Sequence, residues 1–402
     1  MYNFRKIDED LYRIGVSDRK LTIFEAIYPL THGVAYNSYV ITDEKTALID
    51  TVDEHCAKQF FENLKAVLNG KKLDYIIVQH MEPDHAGLID EVLSKYPDVE
   101  VVCSQKASDM MKQFFTVKDS TKFNIIKEND TLNLGKHELH FVSAPMVHWP
   151  EVMLTYDSTN KTLFSADAFG SFGSVDGNIT DKEASIDENY IDEARRYYTN
   201  IVGKYGVQVQ NVLKKASTLD IQRICPLHGL IVEENIAKFV EKYDKWSKYE
   251  PEEKGVVIAY SSIYGGTENA MEVLATKLAE NGVKNIKMYD TSMTHNSYIL
   301  AEMFKYSHVV LAGNTYNNGI FVTMDNLIQS IVAHGLKNRK YAVFQNGTWV
   351  ANCGNSMKES ILKLAGSEII NENLTTIKST LQENQIDEIE ALAKEIANSV
   401  NA

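Results

Sequence analysis

The four cysteines of this 402-residue chain lie far apart, and no C-x-x-C occurs among them. That absence excludes a zinc ribbon or a four-thiolate iron site. It also fits a reducing compartment, so the cytoplasm is the expected location. Positive charge is short as well: 41 Lys and Arg against 55 Asp and Glu leave a net charge of −14. Nucleic acid and anionic membrane surfaces are therefore disfavoured as partners. No apolar run reaches the length of a membrane span, and the opening "MYNFRKIDEDLYRIG" has no signal-peptide core. Internal repeats and low-complexity tracts are missing too. What is present is ordinary for a globular protein, with 44% hydrophobic and 24% charged residues. At roughly 100–200 residues per domain, two or three domains are expected.

One break in pattern divides the chain. "YDKWSKYEPEEKG", about residues 243–255, ends an amphipathic stretch with charges, a Pro and a Gly, and reads as a linker. The expected domains are 1–250 and 251–402. Before the break, strand-like runs come in clusters ("AYNSYVIT", "TALID", "YIIVQ", "VEVVCS", "HELHFVSA", "TLFSA"), with helical patterns such as "CAKQFFENLKAVLNG" and "IDEARRYYTNIVGKYGVQVQNVLKKA". After it, apolar strands and amphipathic helices alternate strictly, from "GVVIAYS" to "QIDEIEALAKEIANSV". That alternation predicts a doubly wound parallel sheet.

Four metal-capable side chains crowd "QHMEPDHAG": His80, Glu82, Asp84 and His85. His148, Asp167 and His228 each follow a short apolar run, as His80 does. Side chains at strand ends can converge on one sheet edge, where loops build sites on a rigid base. The seven suffice for two metals with one bridging carboxylate. Against them stands the plainer reading of a charged turn, which the agreement in position of the separated His, Asp and His disfavours. Cys225, in "CPLH", is read as a small buried hydrophobe rather than a ligand. His32, His55, His137, His140, His295, His308 and His334 are read as structural or surface histidines. Histidine with carboxylate and no thiolate suits iron, manganese or zinc. The extra carboxylate of Glu82 tilts the choice toward a redox-active di-iron pair, while spacing alone leaves zinc open.

In the second half, "IAYSSIYGGTENAM" sets Ser261–Thr267 between a strand and a helix. Free N–H groups at a helix start seat a phosphate. Ser262 and Thr267 add hydroxyls, Ile263 and Tyr264 lie between, and Gly265 and Gly266 let the backbone wrap closely. Neither G-x-x-x-x-G-K-[ST] nor G-x-G-x-x-G is present, so a monophosphate on neutral donors is indicated, which fits FMN. Two later strand-end loops should flank a flavin ring: Thr315, Tyr316, Asn317, Asn318 and Gly319, then Asn346, Gly347 and Trp349. Each loop alone could be a plain turn or ordinary packing. Three at successive strand ends outweigh that.

The order H-x-E-x-D-H, then His, Asp and His, resembles the metallo-β-lactamase-like fold, whose hydrolases carry H-x-H-x-D-H. The Glu variant, with a flavodoxin-like second half, resembles the flavodiiron proteins over essentially the whole chain. The resemblance implies an α/β and α+β chain: an αββα sandwich followed by a flavodoxin-like sheet. It implies His80, Glu82 and His148 on one iron, Asp84 and His228 on the other, and Asp167 bridging. The histidine matching His85 turns away in some members, so its role stays open. Three departures stand out: Gly266 where a hydroxyl residue is usual, Asn314 where Pro is usual, and a shortened "QNGTW" loop.

The implied activity is reduction of dioxygen to water or of nitric oxide to nitrous oxide, with electrons passing through FMN to the iron pair. Tyr197 or Tyr198 is a candidate hydrogen-bond donor to substrate, weighed against packing on an amphipathic helix. No rubredoxin module or NADH fingerprint follows the second half, so an external donor is expected: rubredoxin, or alternatively a reduced deazaflavin coenzyme. The family implies a head-to-tail homodimer or dimer of dimers. Two rivals remain. One is a zinc hydrolase with a flavodoxin-like appendage, and the other is a non-catalytic flavin carrier with a degenerate metal domain.

Overall fold

The apolar runs of the amino-terminal half form two sheets. A seven-stranded sheet runs in the order Arg5–Lys6, Leu11–Arg13, Tyr39–Thr42, Thr46–Ile49, Tyr75–Val78, Glu100–Cys103, Lys122–Ile125. A five-stranded sheet runs Thr131–Asn133, Glu138–Ser143, Met153–Asp157, Thr162–Phe164, Arg223–Cys225. Alternate residues of the first (Tyr39, Ile41, Ile49, Tyr75, Ile77, Val102) share one core with Leu139, Phe141, Met153 and Phe164 of the second. The sheets therefore pack face to face. Their remaining side chains, such as Ile76, Val78 and Val101, are also buried, because helices cover the outer faces. The result is an αββα sandwich. Each fully buried aliphatic or Phe side chain contributes about 1.5–3 kcal/mol by leaving water. Cys225 lies in this core, and burial pushes its thiol well up.

The computed structural model describes residues 1–402. They divide into one unit of Met1–Tyr198 with Val207–Asp244, and a second of Thr199–Gly206 with Lys245–Ala402. One expected strand is divided: "AYNSYVIT" splits into Val34–Tyr36, paired with Val16–Asp18, and Tyr39–Thr42 in the large sheet. The expected helix over 191–216 stays helical but changes pitch, from the α-helix Glu188–Tyr197 through a π-helical turn at Tyr198–Val202 and a 3-10 turn at Gly203–Tyr205 to the α-helix Gly206–Ala216. Gly206 lets that last helix pass closely, since a Cβ there would drive into the Ser247 carbonyl oxygen.

The second unit is a parallel sheet in the order Ile286–Asp290, Glu253–Tyr260, Tyr306–Tyr316, Lys340–Asn346, with Glu368–Ile369 and Thr375–Ile377 both on its last edge. In chain order this is 2-1-3-4-5. The topological switch point lies at the carboxyl ends of Glu253–Tyr260 and Tyr306–Tyr316, where such folds bind ligands. The helices Gly266–Glu280 and Ile386–Asn401 cover one face with Met271, Leu274, Ile389 and Leu392.

Candidate functional site

The first site begins where the strand Tyr75–Val78 ends. His80 and Glu82 stay extended. Pro83 then opens a four-residue helical turn, Pro83–Ala86, with Glu82 as its N-cap. Proline is suited to that first helical position. The switch from extended chain to helix sends Asp84 and His85 to a different place from His80 and Glu82. His148, Asp167 and His228 arrive from loops at the edge of the second sheet. Asp167 and His228 follow the neighbouring parallel strands Thr162–Phe164 and Arg223–Cys225, so they leave the same edge.

All seven side chains are brought together, in two groups. His80, Glu82, His148 and Asp167 form one, and Asp84, His85 and His228 the other, with the donor atoms of each within 4.8 Å of one another. His148 Nε2 lies 3.0 Å from both Glu82 Oε2 and Asp167 Oδ2. His80 Nε2 lies 3.1 Å from Glu82 Oε2 and 3.3 Å from Asp167 Oδ2. In the second group, His228 Nε2 is 3.2 Å from Asp84 Oδ2 and 3.0 Å from His85 Nε2. The other oxygen of Asp167, Oδ1, is 3.1 Å from His85 Nε2. Asp167 thus turns one oxygen to each group. His85 points in with its neighbours.

Several supporting groups carry no local sequence signature. Glu151 is buried, takes His80 Nδ1 at 2.9 Å and accepts from the Met81 N–H at 2.9 Å. His228 Nδ1 donates to the Ala35 carbonyl at 2.9 Å. These two contacts leave each Nε2 facing the site. Asp50, fully buried, accepts from the backbone and side-chain nitrogens of Gln79 at 2.8 and 3.0 Å. Burial pushes its carboxyl up to about 6. Glu25 reaches the Glu82 carboxylate from the turn between the strands Ile23–Phe24 and Tyr28–Pro29. Burial and that neighbour push Glu25 up to about 8. The Tyr197 hydroxyl is buried without a partner, and its ring centroid is 5.3 Å from that of His228.

The electrostatics of the cluster are those of a cation site. Burial alone would raise Glu82 and Asp167, yet both are held well below the carboxylate range by the surrounding imidazoles. Burial would lower His148, yet Asp167 and Glu82 raise it to about 9.

The second site is a cleft of about 620 Å³ at the switch point of the parallel sheet. It is lined by Ser262, Ile263, Tyr264, Gly266 and Thr267, by Thr315 to Asn318, and by Asn346, Gly347 and Trp349. Gly265 caps the helix Gly266–Glu280 at φ +85°, a conformation that favours glycine. Gly319 sits beside the cleft in a short strand paired with Tyr316. Asn314 lines it too, and so do Ser379 and Thr380, which were not singled out from the sequence. The Thr267 hydroxyl accepts from Asn314 Nδ2 and Asn346 Nδ2, each at 3.0 Å, which ties three strand-end loops together. A Cβ at Gly266 would drive into the Ser379 carbonyl oxygen, so a hydroxyl residue has no room there. Tyr264 and Trp349 stand 98% and 90% exposed, bare rings beside a polar slot.

Comparisons with known proteins match both halves of the chain. The model of the ODP family of beta lactamases matches residues 34–229, and the flavodoxin model matches residues 258–395. A nitric oxide reductase from Moorella thermoacetica is 30% identical over 395 residues, 97% of each chain. The rubredoxin oxygen:oxidoreductase of Desulfovibrio gigas superposes with a TM-score of 0.93 at 26% identity, over 99% of both chains. The flavodiiron protein of Giardia intestinalis gives 0.94 at 22% identity, over 100% of this chain and 97% of that one. The chain belongs to the flavodiiron proteins.

In this flavodiiron chain the donor set fits two cations. Both oxygens of Asp84, together with Asp167 Oδ1, are buried without a hydrogen-bond partner. Three carboxylates and four imidazoles face each other there. Buried charge of one sign needs compensation, and metal coordination supplies it. The cleft of the second unit fits a flat ring with a phosphate tail: it is lined by the exposed rings of Tyr264 and Trp349 and by the first turn of the helix Gly266–Glu280.

Proposed function

We propose that the chain is an oxidoreductase that carries electrons from an external donor through FMN to a di-iron site, where dioxygen is reduced to water or nitric oxide to nitrous oxide. The observation that carries this reading is Asp167, one oxygen toward each of two ligand groups, beside a carboxylate at position 82. A redox pair needs two metals held close and kept bridged. His80, Glu82 and His148 would hold one iron, and Asp84, His85 and His228 the other. Bound in these sites, FMN takes two electrons together and releases them singly, and the iron pair holds and reduces the diatomic.

The chain's own residues do the positioning. Glu151 and the Ala35 carbonyl fix which nitrogen of His80 and His228 faces inward. Phe24 and Phe172, with ring centroids 5.7 Å apart, form an apolar wall beside His228 that limits water. The Tyr197 hydroxyl, free of partners, is placed to donate to a bound oxygen atom. Tyr264 and Trp349 would hold the flavin ring, and the start of the helix Gly266–Glu280 would hold its phosphate.

The donor is rubredoxin, in keeping with the name of the Desulfovibrio gigas relative. A head-to-tail dimer brings the flavin of one protomer to the irons of its partner. Anaerobic purification, with iron and FMN quantified per chain, tests the reading together with parallel consumption assays for dioxygen and nitric oxide under rubredoxin-supplied electrons. Two irons and one FMN per chain with turnover of either gas are expected. Two zincs with hydrolase activity and no flavin reduction would instead mark a hydrolase.

A further inference from the structure

The acidic chain holds one strongly basic recess away from both sites. Arg5, Arg13 and Arg19 line a cleft of about 640 Å³ together with Asn3, Ser17 and Gln59, and no carboxylate is among its lining residues. Arg5 is balanced by Glu183, and Arg19 by Asp176 at 2.7 Å. Arg13 differs. It is 7% exposed, no carboxylate pairs with it, and its Nη2 is buried without a partner. Its Nε donates to Asn37 Oδ1 at 2.6 Å, and Asn37 is itself pinned by bonds to the Pro226 and Gly229 carbonyls, both at 2.9 Å. The guanidinium is therefore held rigidly.

A buried, unpaired charge is costly unless something compensates it. Arg13 lines the cleft, and a guanidinium suits an oxygen of a carboxylate or a phosphoryl group. We propose that this cleft is a binding site for a small oxyanion, gripped by Arg13 and flanked by Arg5 and Arg19. Two polar amides, Asn3 and Gln59, stand at its wall. The volume admits an organic body behind the anionic group.

The test is calorimetric titration of the iron- and FMN-loaded protein with inorganic phosphate and, separately, succinate, with chloride at matched ionic strength as the control. Filling the flavin cleft first keeps its phosphate seat out of the measurement. Saturable one-to-one binding of either probe, weakened about tenfold or more in Arg13→Gln, is expected. Phosphate alone would mark a phosphoryl ligand and succinate alone a carboxylate. Should Arg13→Gln fail to fold, Arg5→Gln with Arg19→Gln decides, because these side chains reach the surface, 39% and 55% exposed; about tenfold weaker binding is expected there too. Absence of saturation by both probes below about 10 mM, or undiminished affinity in the variant that folds, would overturn the proposal.

Discussion

Glu151 offers a sharp test of how the metal site is held, because it touches no proposed metal position. Its Oε1 serves two donors, His80 Nδ1 and the Met81 N–H, each at 2.9 Å. Glu151→Gln keeps the shape and one acceptor oxygen but removes the charge that holds the His80 ring. Charge-assisted bonds of this kind are worth about 1.5–3 kcal/mol each. Loss of such partners behind a metal-bound histidine typically costs about 10–100-fold in metal affinity. Iron retention should therefore fall by about that factor, read as the chelator concentration that strips half the iron from anaerobic protein. FMN content should not change, since the flavin cleft belongs to the other unit. Glu151→Ala leaves both donors unpaired in a dry site and should be worse, costing about 2–6 kcal/mol of stability at about 1–3 kcal/mol for each orphaned group. Iron retention within about twofold of wild type in Glu151→Gln would refute the reasoning.

Four other perturbations probe other parts of the account. Glu82→His should weaken iron retention and abolish gas reduction; full iron with full activity would remove Glu82 from the redox argument. Trp349→Ala should leave the unfolding midpoint of FMN-free protein unchanged, since the ring is exposed, while FMN affinity falls about threefold to tenfold through a lost stacking contact of about 0.5–1.5 kcal/mol; unaltered affinity measured by flavin fluorescence would contradict a stacking role. Gly266→Ser should displace the Ser379 carbonyl, costing about 1–3 kcal/mol, with weaker FMN binding read by the same fluorescence titration. His308 bonds Ser307 and Ser399, and burial, then Lys340 and Arg339, lower it from 6.5 to about 4. The unfolded chain then binds more protons in that window. Stability is full above pH 6.5 and falls as pH drops toward 4, a slope that His308→Gln should flatten in urea midpoints at pH 7 and 5.

Much of the architecture could be read in advance because it rests on local pattern. Strict alternation of apolar strands with helices dictates the parallel sheet, and the short apolar runs before His80, Asp167 and His228 mark each of them as following a strand. The H-x-E-x-D-H spacing also gathers its own donors, since Pro83 starts a helical turn at a set point. The rest depended on distance. Glu151 and Asp50 meet the His80 loop only after separate loops and strands are assembled, and neither lies in a motif of its own. Ser379 and Thr380 join the flavin cleft through a fourth strand end with no phosphate-like signal. Gly266 is explained only by the carbonyl of Ser379, 113 positions away in the chain. The helical period of residues 191–216 runs on unchanged through the π and 3-10 turns of residues 198–205, so it does not signal the change of pitch.

The central claim is that one chain couples a flavin to a di-iron site. Stopped-flow mixing of anaerobic, photoreduced protein with dioxygen or nitric oxide tests it directly, with flavin absorbance followed in iron-loaded and iron-free samples. The account predicts rapid flavin reoxidation only when iron is present, with water or nitrous oxide as product. Equal reoxidation rates with and without iron would contradict it.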